Sequence, residues 1–311
     1  MQVNLPDQTR ELDVTPSLHS LQPKDALLKR LFESAGSVPL SFEVFPPGND
    51  AQKHKLLETV DRLSPVAAQG FSVTMGAGGT SRTGTFETST ELARRTGRPV
   101  TAHLTAVGSS TDAVLEMADA FWNAGISKLL ALRGDDPAPN TRQTRSDFQY
   151  ASDLVRALAD RHPFEISVAA YPEKHPEADN LDVDIDHLEE KLDAGATRAY
   201  CQFVLDPSAY GRFLDKCAAR GIKVDIIPGI MPLDGWSRLV GFAEKTNTRV
   251  PEWLSQLFAS GEETPELMPL LATAATLEQA RRLIAYGAPE LHVYTMNRWP
   301  ISLALARLLG G

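Results

Sequence analysis

Residues 129–137 read Leu-Leu-Ala-Leu-Arg-Gly-Asp-Asp-Pro, a strand-like apolar run that ends abruptly in an arginine, a glycine and two carboxylates. The same order recurs along the 311-residue chain: an apolar run, a polar or glycine-rich end, then a helix-like stretch. The carboxyl ends of parallel strands converge on one face of a barrel, and barrel enzymes keep their chemistry there. The repeat therefore predicts both a fold and the location of a site.

Eight strand-like runs are predicted, at 40–45, 71–75, 100–105, 128–132, 165–170, 198–204, 224–227 and 291–295. Helix-like segments alternate with them, at 50–63, 86–96, 111–124, 147–161, 184–194, 208–219, 236–245, 251–260, 264–287 and 301–309. This alternation is typical of a (β/α)8 TIM barrel. We assign residues 36–311 to the barrel and the polar, proline-containing residues 1–35 to an N-terminal extension.

An open doubly wound sheet is the main alternative architecture. It usually carries a glycine fingerprint after its first strand. Here Pro46-Pro47-Gly48 follows the first strand, and Gly76-Ala77-Gly78-Gly79 after the second does not match GxGxxG. The barrel is therefore the better prediction.

Composition narrows the class of protein. The net charge of −9 and pI of about 5.3 argue against a nucleic-acid partner, which rewards basic surfaces. The first 30 residues lack a secretory apolar core, and no long uncharged apolar stretch could span a membrane. We predict a cytoplasmic protein in which Cys201 and Cys217 are reduced thiols.

The predicted strand ends carry most of the candidate site residues. Glu43 lies within Ser-Phe-Glu-Val-Phe, and a carboxylate among apolar residues is costly to ionise, which makes it a candidate general acid. The alternative is an edge glutamate that faces solvent. No lysine lies at the carboxyl end of a predicted strand, which argues against a Schiff base. The His-x-His and Gly-x-Ser-x-Gly motifs of metal sites and serine nucleophiles are also absent. An organic cofactor therefore fits better.

Ten motifs between residues 38 and 309 resemble, in order, those of a known family. They are SFEVFPP (41–47), SVT (72–74), AHLT (102–105), ALRGD (131–135), YASDL (150–154), SVAAYPE (167–173), HPEA (175–178), DAGA (193–196), IPGIMP (227–232) and YTMNR (294–298). On these motifs the chain is similar to the methylenetetrahydrofolate reductase family.

That resemblance implies a barrel that binds FAD, uses NADH or NADPH, and reduces 5,10-methylenetetrahydrofolate to 5-methyltetrahydrofolate. It implies that Glu43 is the general acid that helps open the folate ring, and that Asp135 lies between flavin and pterin. A homo-oligomer is expected. Matching positions for the flavin are Thr74, His103, Arg133, Gly134, Asp135, Tyr150, Ala151, Tyr171, His175, Asp184 and Lys191. Matching positions for the substrates are Gln202, Arg238, Phe242 and Arg298.

Four positions depart from the family pattern: Met75, His187, Glu190 and Arg238. Arg238 stands where relatives often have glutamine, and it adds a second positive charge for a polyglutamate. Met75 stands where bacterial relatives often have tyrosine. His187 and Glu190 stand where Asn and Arg are usual, and Glu190 would repel a flavin diphosphate. Two alternatives therefore stay open, the same reaction by direct hydride transfer from NADH without flavin, and a barrel that binds folate or flavin without catalysis. The presence of both Glu43 and Asp135 argues against the second.

Overall fold

The computed structural model describes residues 38–76, 82–134, 147–261 and 264–309. Within them, eight parallel strands close into a barrel in sequential order, with the last strand paired to the first. This confirms the predicted (β/α)8 TIM barrel. The strands are β1 (Leu40–Val44), β2 (Gly70–Val73), β3 (Val100–Thr105), β4 (Lys128–Leu132), β5 (Glu165–Ala170), β6 (Arg198–Phe203), β7 (Asp225–Ile230) and β8 (Leu291–Tyr294).

Helices cover the outside of the barrel. They are α1 (Asp50–Leu63), α2 (Arg82–Thr96), α3 (Thr111–Asn123), α4 (Ala151–Arg161), α5 (Leu181–Asp193), α6 (Pro207–Ala219), α7 (Trp236–Lys245), α8 (Glu252–Gly261), α9 (Met268–Ala285) and α10 (Pro300–Leu308). None of the described helices is both long and apolar enough to cross a membrane. Residues 1–37 lie outside the described part of the chain, so the boundary of the N-terminal extension stays a prediction.

Short polar side chains explain where several helices begin. The Asn49 side chain accepts a hydrogen bond from the N–H of Gln52 ahead of α1, and Ser110 accepts one from Ala113 ahead of α3. Asp206 does the same before α6, where Pro207 occupies the first helical position. Each cap satisfies a backbone donor that has no partner within the helix.

Four predicted helices begin three or four residues away from their predicted starts. The segments predicted at 86–96 and 184–194 begin earlier, at Arg82 and Leu181. The segment predicted at 147–161 becomes helical only at Ala151, because Tyr150 is the N-cap and its N–H donates to the Asp153 carboxylate at 2.9 Å. The segment predicted at 264–287 divides into a 3-10 turn, Pro265–Leu267, and α9. The prolines at the start of each part lack the N–H that would continue a preceding helix.

β7 is longer than predicted. We predicted that it ends at Ile227, but the strand continues through Pro228 and Gly229 to Ile230. The pairing of β6 with β7 shifts register between Tyr200 and Phe203, and such an irregularity tolerates a proline without an N–H. A Cβ on Gly229 would lie 2.4 Å from the Tyr294 ring. Pro228-Gly229 is therefore part of the barrel wall.

The apolar core lies mainly between the strands and the surrounding helices, and includes Phe42 and Phe71, with ring centroids 6.2 Å apart. A second cluster under α7, α8 and α9 contains Leu239 and Phe258. Cys201 and Cys217 are buried free thiols, and burial raises the pKa of Cys201 well above its usual range. Several polar side chains are also buried on the strands, namely Ser41, Ser72, His103, Ser167 and His292.

Candidate active site

Glu43 lies near the carboxyl end of β1, and its side chain is 17% exposed. The Nε2 atoms of His103 and His292 each lie 3.5 Å from Oε2 of Glu43. β1 pairs with β2 on one side and with β8 on the other, so it is not an edge strand, and the solvent-facing edge alternative does not apply. Two imidazole rings thus face the predicted general acid.

The turn after β8 holds the backbone of Glu43 in place. The N–H and the hydroxyl of Thr295 donate to the carbonyl of Glu43 at 3.1 and 2.7 Å. Asn297 accepts from the N–H of Phe45 at 3.0 Å and donates to the Phe45 carbonyl at 2.9 Å. Met296 and Asn297 reach these contacts with φ of 53° and 52°, a left-handed turn that asparagine tolerates better than most residues. The predicted acid is therefore on a rigid part of the barrel.

His103 is buried on β3, and burial lowers its pKa to about 4, although the neighbouring Glu43 acts in the opposite direction. The ring is consequently neutral near pH 7. Among the described residues, neither Nε2 of His103 nor Oγ1 of Thr74 has a hydrogen-bond partner. A buried polar atom left unpaired costs about 1–3 kcal/mol. Both residues are at positions that the sequence assigned to the flavin, and both offer a polar atom to a ligand.

A chain of buried polar residues continues from Glu43 towards the amino ends of the strands. Oγ of Ser41 lies 2.7 Å from Nδ1 of His292 and 2.5 Å from Oε1 of Glu290. Oε2 of Glu290 accepts from Nη1 of Arg198 at 2.9 Å. Sequence reasoning missed these four residues. The available signal was the strand period of two, which puts Ser41 on the same face as Glu43.

The residues predicted to bind flavin that follow β4 and β5 lie close to one another and to Asp184 on α5. The His175 N–H donates to the carboxylate of Asp184 at 2.9 Å, and the Tyr171 and His175 rings meet edge to face at 4.7 Å. Arg133 pairs with Glu177 at 2.7 Å. Gly134 has a φ of +85°, and a Cβ there would lie 2.5 Å from Cγ1 of Val107. Only glycine therefore fits at this position without a shift of the neighbouring loop.

Lys191 on α5 donates to the carbonyl of Ala169 at 2.7 Å. Burial lowers the pKa of its ammonium group to about 8, while Asp184 and Glu190 oppose that shift. Glu190, which departs from the family pattern, is exposed, and its Oε2 lies 3.3 Å from Nδ1 of His187.

Tyr150, which precedes Ala151 at the start of α4, stacks on His187 with ring centroids 6.1 Å apart. These contacts bring α4 and α5 together beside Lys191. Met75, which also departs from the family pattern, follows β2 and is buried. Its sulfur accepts a hydrogen bond from the Thr105 N–H at 3.4 Å.

The predicted substrate residues lie around β6, α7 and the end of β8. Gln202 lines a small cleft with Tyr171. Arg298 pairs with Asp234 at 2.9 Å and borders a separate pocket of about 230 Å³. On α7, Phe242 packs against the second apolar cluster and Arg238 is exposed. Asp135 lies outside the described residues.

The sequence model of the methylenetetrahydrofolate reductase family matches residues 27–310. The chain belongs to this family. It is 38% identical over 287 residues to the 5,10-methylenetetrahydrofolate reductase of Pectobacterium carotovorum, covering 92% of this chain and 95% of the relative. The identity to the Escherichia coli K12 enzyme of the same name is also 38%, with 92% and 96% covered. The match includes residues 27–35 of the predicted extension.

Solved structures show the same fold. A Clostridium thermocellum protein, described as binding two copies of 5-methyl-5,6,7,8-tetrahydrofolic acid, superposes with a TM-score of 0.62. The alignment covers 91% of this chain and 98% of that one at 14% sequence identity. At this identity the similarity supports the barrel and carries no assignment of residues.

Proposed function

We propose that the protein reduces 5,10-methylenetetrahydrofolate to 5-methyltetrahydrofolate with electrons from NAD(P)H through bound FAD, and that Glu43 is the general acid. Membership in the methylenetetrahydrofolate reductase family supports the overall reaction. The observation that carries the role of Glu43 is its position, 17% exposed and 3.5 Å from Nε2 of both His103 and His292.

Glu43 acts while the folate lies over the mouth of the barrel. Its carboxyl proton moves to the nitrogen that leaves the five-membered ring of the folate, as the bond between that nitrogen and the bridging carbon breaks. The bridging carbon becomes an electrophilic iminium, and addition of a hydride turns it into the methyl group. Neutral His103 adds no positive charge that would hold the Glu43 carboxyl in its ionised form.

The described residues fit a flavin. The unpaired polar atoms of Thr74 and His103 offer it hydrogen-bond partners, and Lys191 supplies a positive charge for the diphosphate. Gly134 lets the backbone approach closely. When bound, the flavin would accept a hydride from NAD(P)H and pass it to the folate. Asp135, which follows Gly134, keeps its proposed role beside the pterin.

Gln202 and Arg298 are proposed to hold the folate, the first at its pterin end and the second at its glutamate carboxylate. A guanidinium group suits a carboxylate because it donates two parallel hydrogen bonds. Arg298 is already paired with Asp234 at 2.9 Å, so the folate carboxylate must compete with that partner. Arg238 adds a second positive charge on α7, and Phe242 offers an aromatic face.

A second candidate is the same reduction by direct hydride transfer from NADH. It is favoured by Glu190, which adds a negative charge beside Lys191, where a flavin diphosphate would bind. The absorbance spectrum of the purified protein before and after anaerobic NADH separates the two. Flavin bands near ~380 and ~450 nm that bleach with NADH support the flavin route. A colourless protein that gains no flavin from added FAD, yet consumes NADH with the folate, supports direct transfer.

The acid assignment is tested with Glu43→Gln, which keeps the shape of the side chain but cannot give up a carboxyl proton. We expect folate reduction to fall by about 10²–10⁴-fold, while reduction of the flavin by NADH stays within about twofold. Exposed Glu116 on α3 provides the matched control, Glu116→Gln, which leaves both steps unchanged. Retention of folate reduction in Glu43→Gln would show that another group supplies the proton.

A further inference from the structure

Glu290 and Arg198 form an ion pair at the amino ends of the strands, which we call the floor of the barrel. The Glu290 side chain is 4% exposed, and its Oε2 lies 2.9 Å from Nη1 of Arg198. Arg198 also reaches Asp225 at 3.5 Å. A guanidinium group is always charged, and the Glu290 carboxylate that it contacts only accepts hydrogen bonds.

The direction of the next hydrogen bond follows from that charge. Ser41 has one hydroxyl proton and lies 2.5 Å from Oε1 of Glu290. Since the carboxylate accepts only, this proton points to Glu290. Oγ of Ser41 must therefore accept from Nδ1 of His292, 2.7 Å away. The proton on Nδ1 selects one tautomer of the neutral His292 ring.

That tautomer presents an unprotonated Nε2 towards the predicted acid. Nε2 of His292 lies 3.5 Å from Oε2 of Glu43 and 3.3 Å from Oγ of Ser72. A lone pair repels an ionised carboxylate and accepts a hydrogen bond from a protonated one. With the proton on Nδ1, the ring therefore offers an acceptor and no N–H donor to the carboxyl group of Glu43.

We propose that Glu290 is a positioning residue for the general acid: through Ser41 it fixes the His292 tautomer whose acceptor nitrogen faces the carboxyl group of Glu43. This inference rests on the proposed role of Glu43. It goes further by placing the group that orients the proton donor at the amino ends of the strands.

The charge state of the groups around His292 and Glu43 is constant over the useful pH range. His103 is neutral because burial lowers its pKa to about 4. Burial raises the pKa of Tyr200 to about 12 and that of Tyr294 well above its usual value, and Arg198 stays charged. None of these neighbours therefore changes its charge in a folate-reduction assay near pH 7.5.

The effect of the substitution follows from hydrogen-bond direction. In Glu290→Gln the side-chain amide can also donate, so the Ser41 hydroxyl is free to donate to Nδ1 of His292, and the ring proton moves to Nε2. Nε2 then presents a donor where the acid form of Glu43 needs an acceptor, and we expect kcat for folate reduction to fall about tenfold with little change in KM.

The variants to compare are Glu290→Gln and Ser41→Ala, with Glu165→Gln as the matched control. Glu165 lies at the same floor of the barrel and pairs with Lys128 at 2.6 Å, so its substitution removes the same charge at a residue that does not contact Ser41. We expect both test variants to lower kcat for folate reduction with little change in KM, and the control to match the unsubstituted protein. The rate of flavin reduction by NADH should stay the same in all three. An equal loss in the control would overturn the proposal.

A spectroscopic measurement on the ligand-free protein separates a failure of this proposal from a failure of the proposed function. Protein labelled with ¹⁵N in histidine reports which ring nitrogen carries the proton, and the His292→Asn spectrum assigns the signal. We expect a protonated Nδ1 in the native protein and loss of that preference in Glu290→Gln and Ser41→Ala. A native Nε2–H tautomer would refute the role of Glu290 and leave the acid in place. So would unchanged folate reduction in Glu290→Gln and Ser41→Ala while Glu43→Gln abolishes it.

Discussion

The buried His103 predicts a specific loss of stability in mild acid. Its pKa is about 4 in the folded protein, against the ordinary histidine value of 6.5, which applies to the unfolded chain. Between these values the unfolded state binds more protons, so stability is full above about pH 6.5 and falls as the pH drops towards 4. From pH 7.5 to pH 5.0 the two pKa values correspond to a loss of about 2 kcal/mol from this one group.

The perturbation is His103→Gln, and the assay is urea unfolding at pH 7.5 and pH 5.0. We expect the difference in unfolding free energy between the two pH values to shrink by about 2 kcal/mol in the variant, whatever the variant does to stability at pH 7.5. The control is His54→Gln, which replaces an exposed histidine on α1 and should leave the difference unchanged. A His103→Gln curve parallel to that of the unsubstituted protein would refute the argument that this ring is buried in its neutral form.

Two substitutions test the packing of the barrel. Gly70→Ala places a Cβ 2.0 Å from the Pro99 carbonyl oxygen, whereas Gly97→Ala, also at positive φ, meets nothing within 4 Å. Both variants lose about 1–2 kcal/mol because alanine disfavours the left-handed backbone conformation. We therefore expect the melting temperature to fall further in Gly70→Ala than in Gly97→Ala, and equal decreases would contradict the clash with Pro99. Phe42→Ala empties a fully buried site on β1 and should lower the unfolding free energy in urea by about 3–5 kcal/mol. A loss below about 1 kcal/mol would mean that the surroundings collapse into the space.

Local sequence predicted the strands of the barrel well. Runs such as 128–132 and 165–170 have the observed bounds, because short apolar runs bounded by glycine and polar residues favour buried strands. The end of β7 was wrong, because Pro228-Gly229 has the sequence of a turn. Its place in the wall depends on the register shift between β6 and β7, which no local signal encodes.

The predicted site was incomplete for a related reason. Glu43 and His103 could be named from the polar residues of their own strands, and the family match supports the reaction. Ser41, Glu290 and Arg198 were missed because each is unremarkable in its own segment. Ser41 and Glu290 are 249 positions apart in the chain, so their contact exists only once β8 closes the barrel against β1.

The sequence by itself determined the alternation of strands and helices, the caps that begin α1, α3 and α6, and which strands carry polar residues. These features depend on side-chain period and on backbone hydrogen bonds over a few residues. Closure of the barrel decided the rest. It set two imidazole rings against Glu43, left the polar atoms of Thr74 and His103 unpaired among the described residues, and connected Glu43 to an ion pair at the opposite end of the strands. Hydrogen bonds and charges act over a few ångströms in space, and that proximity is a property of the closed sheet.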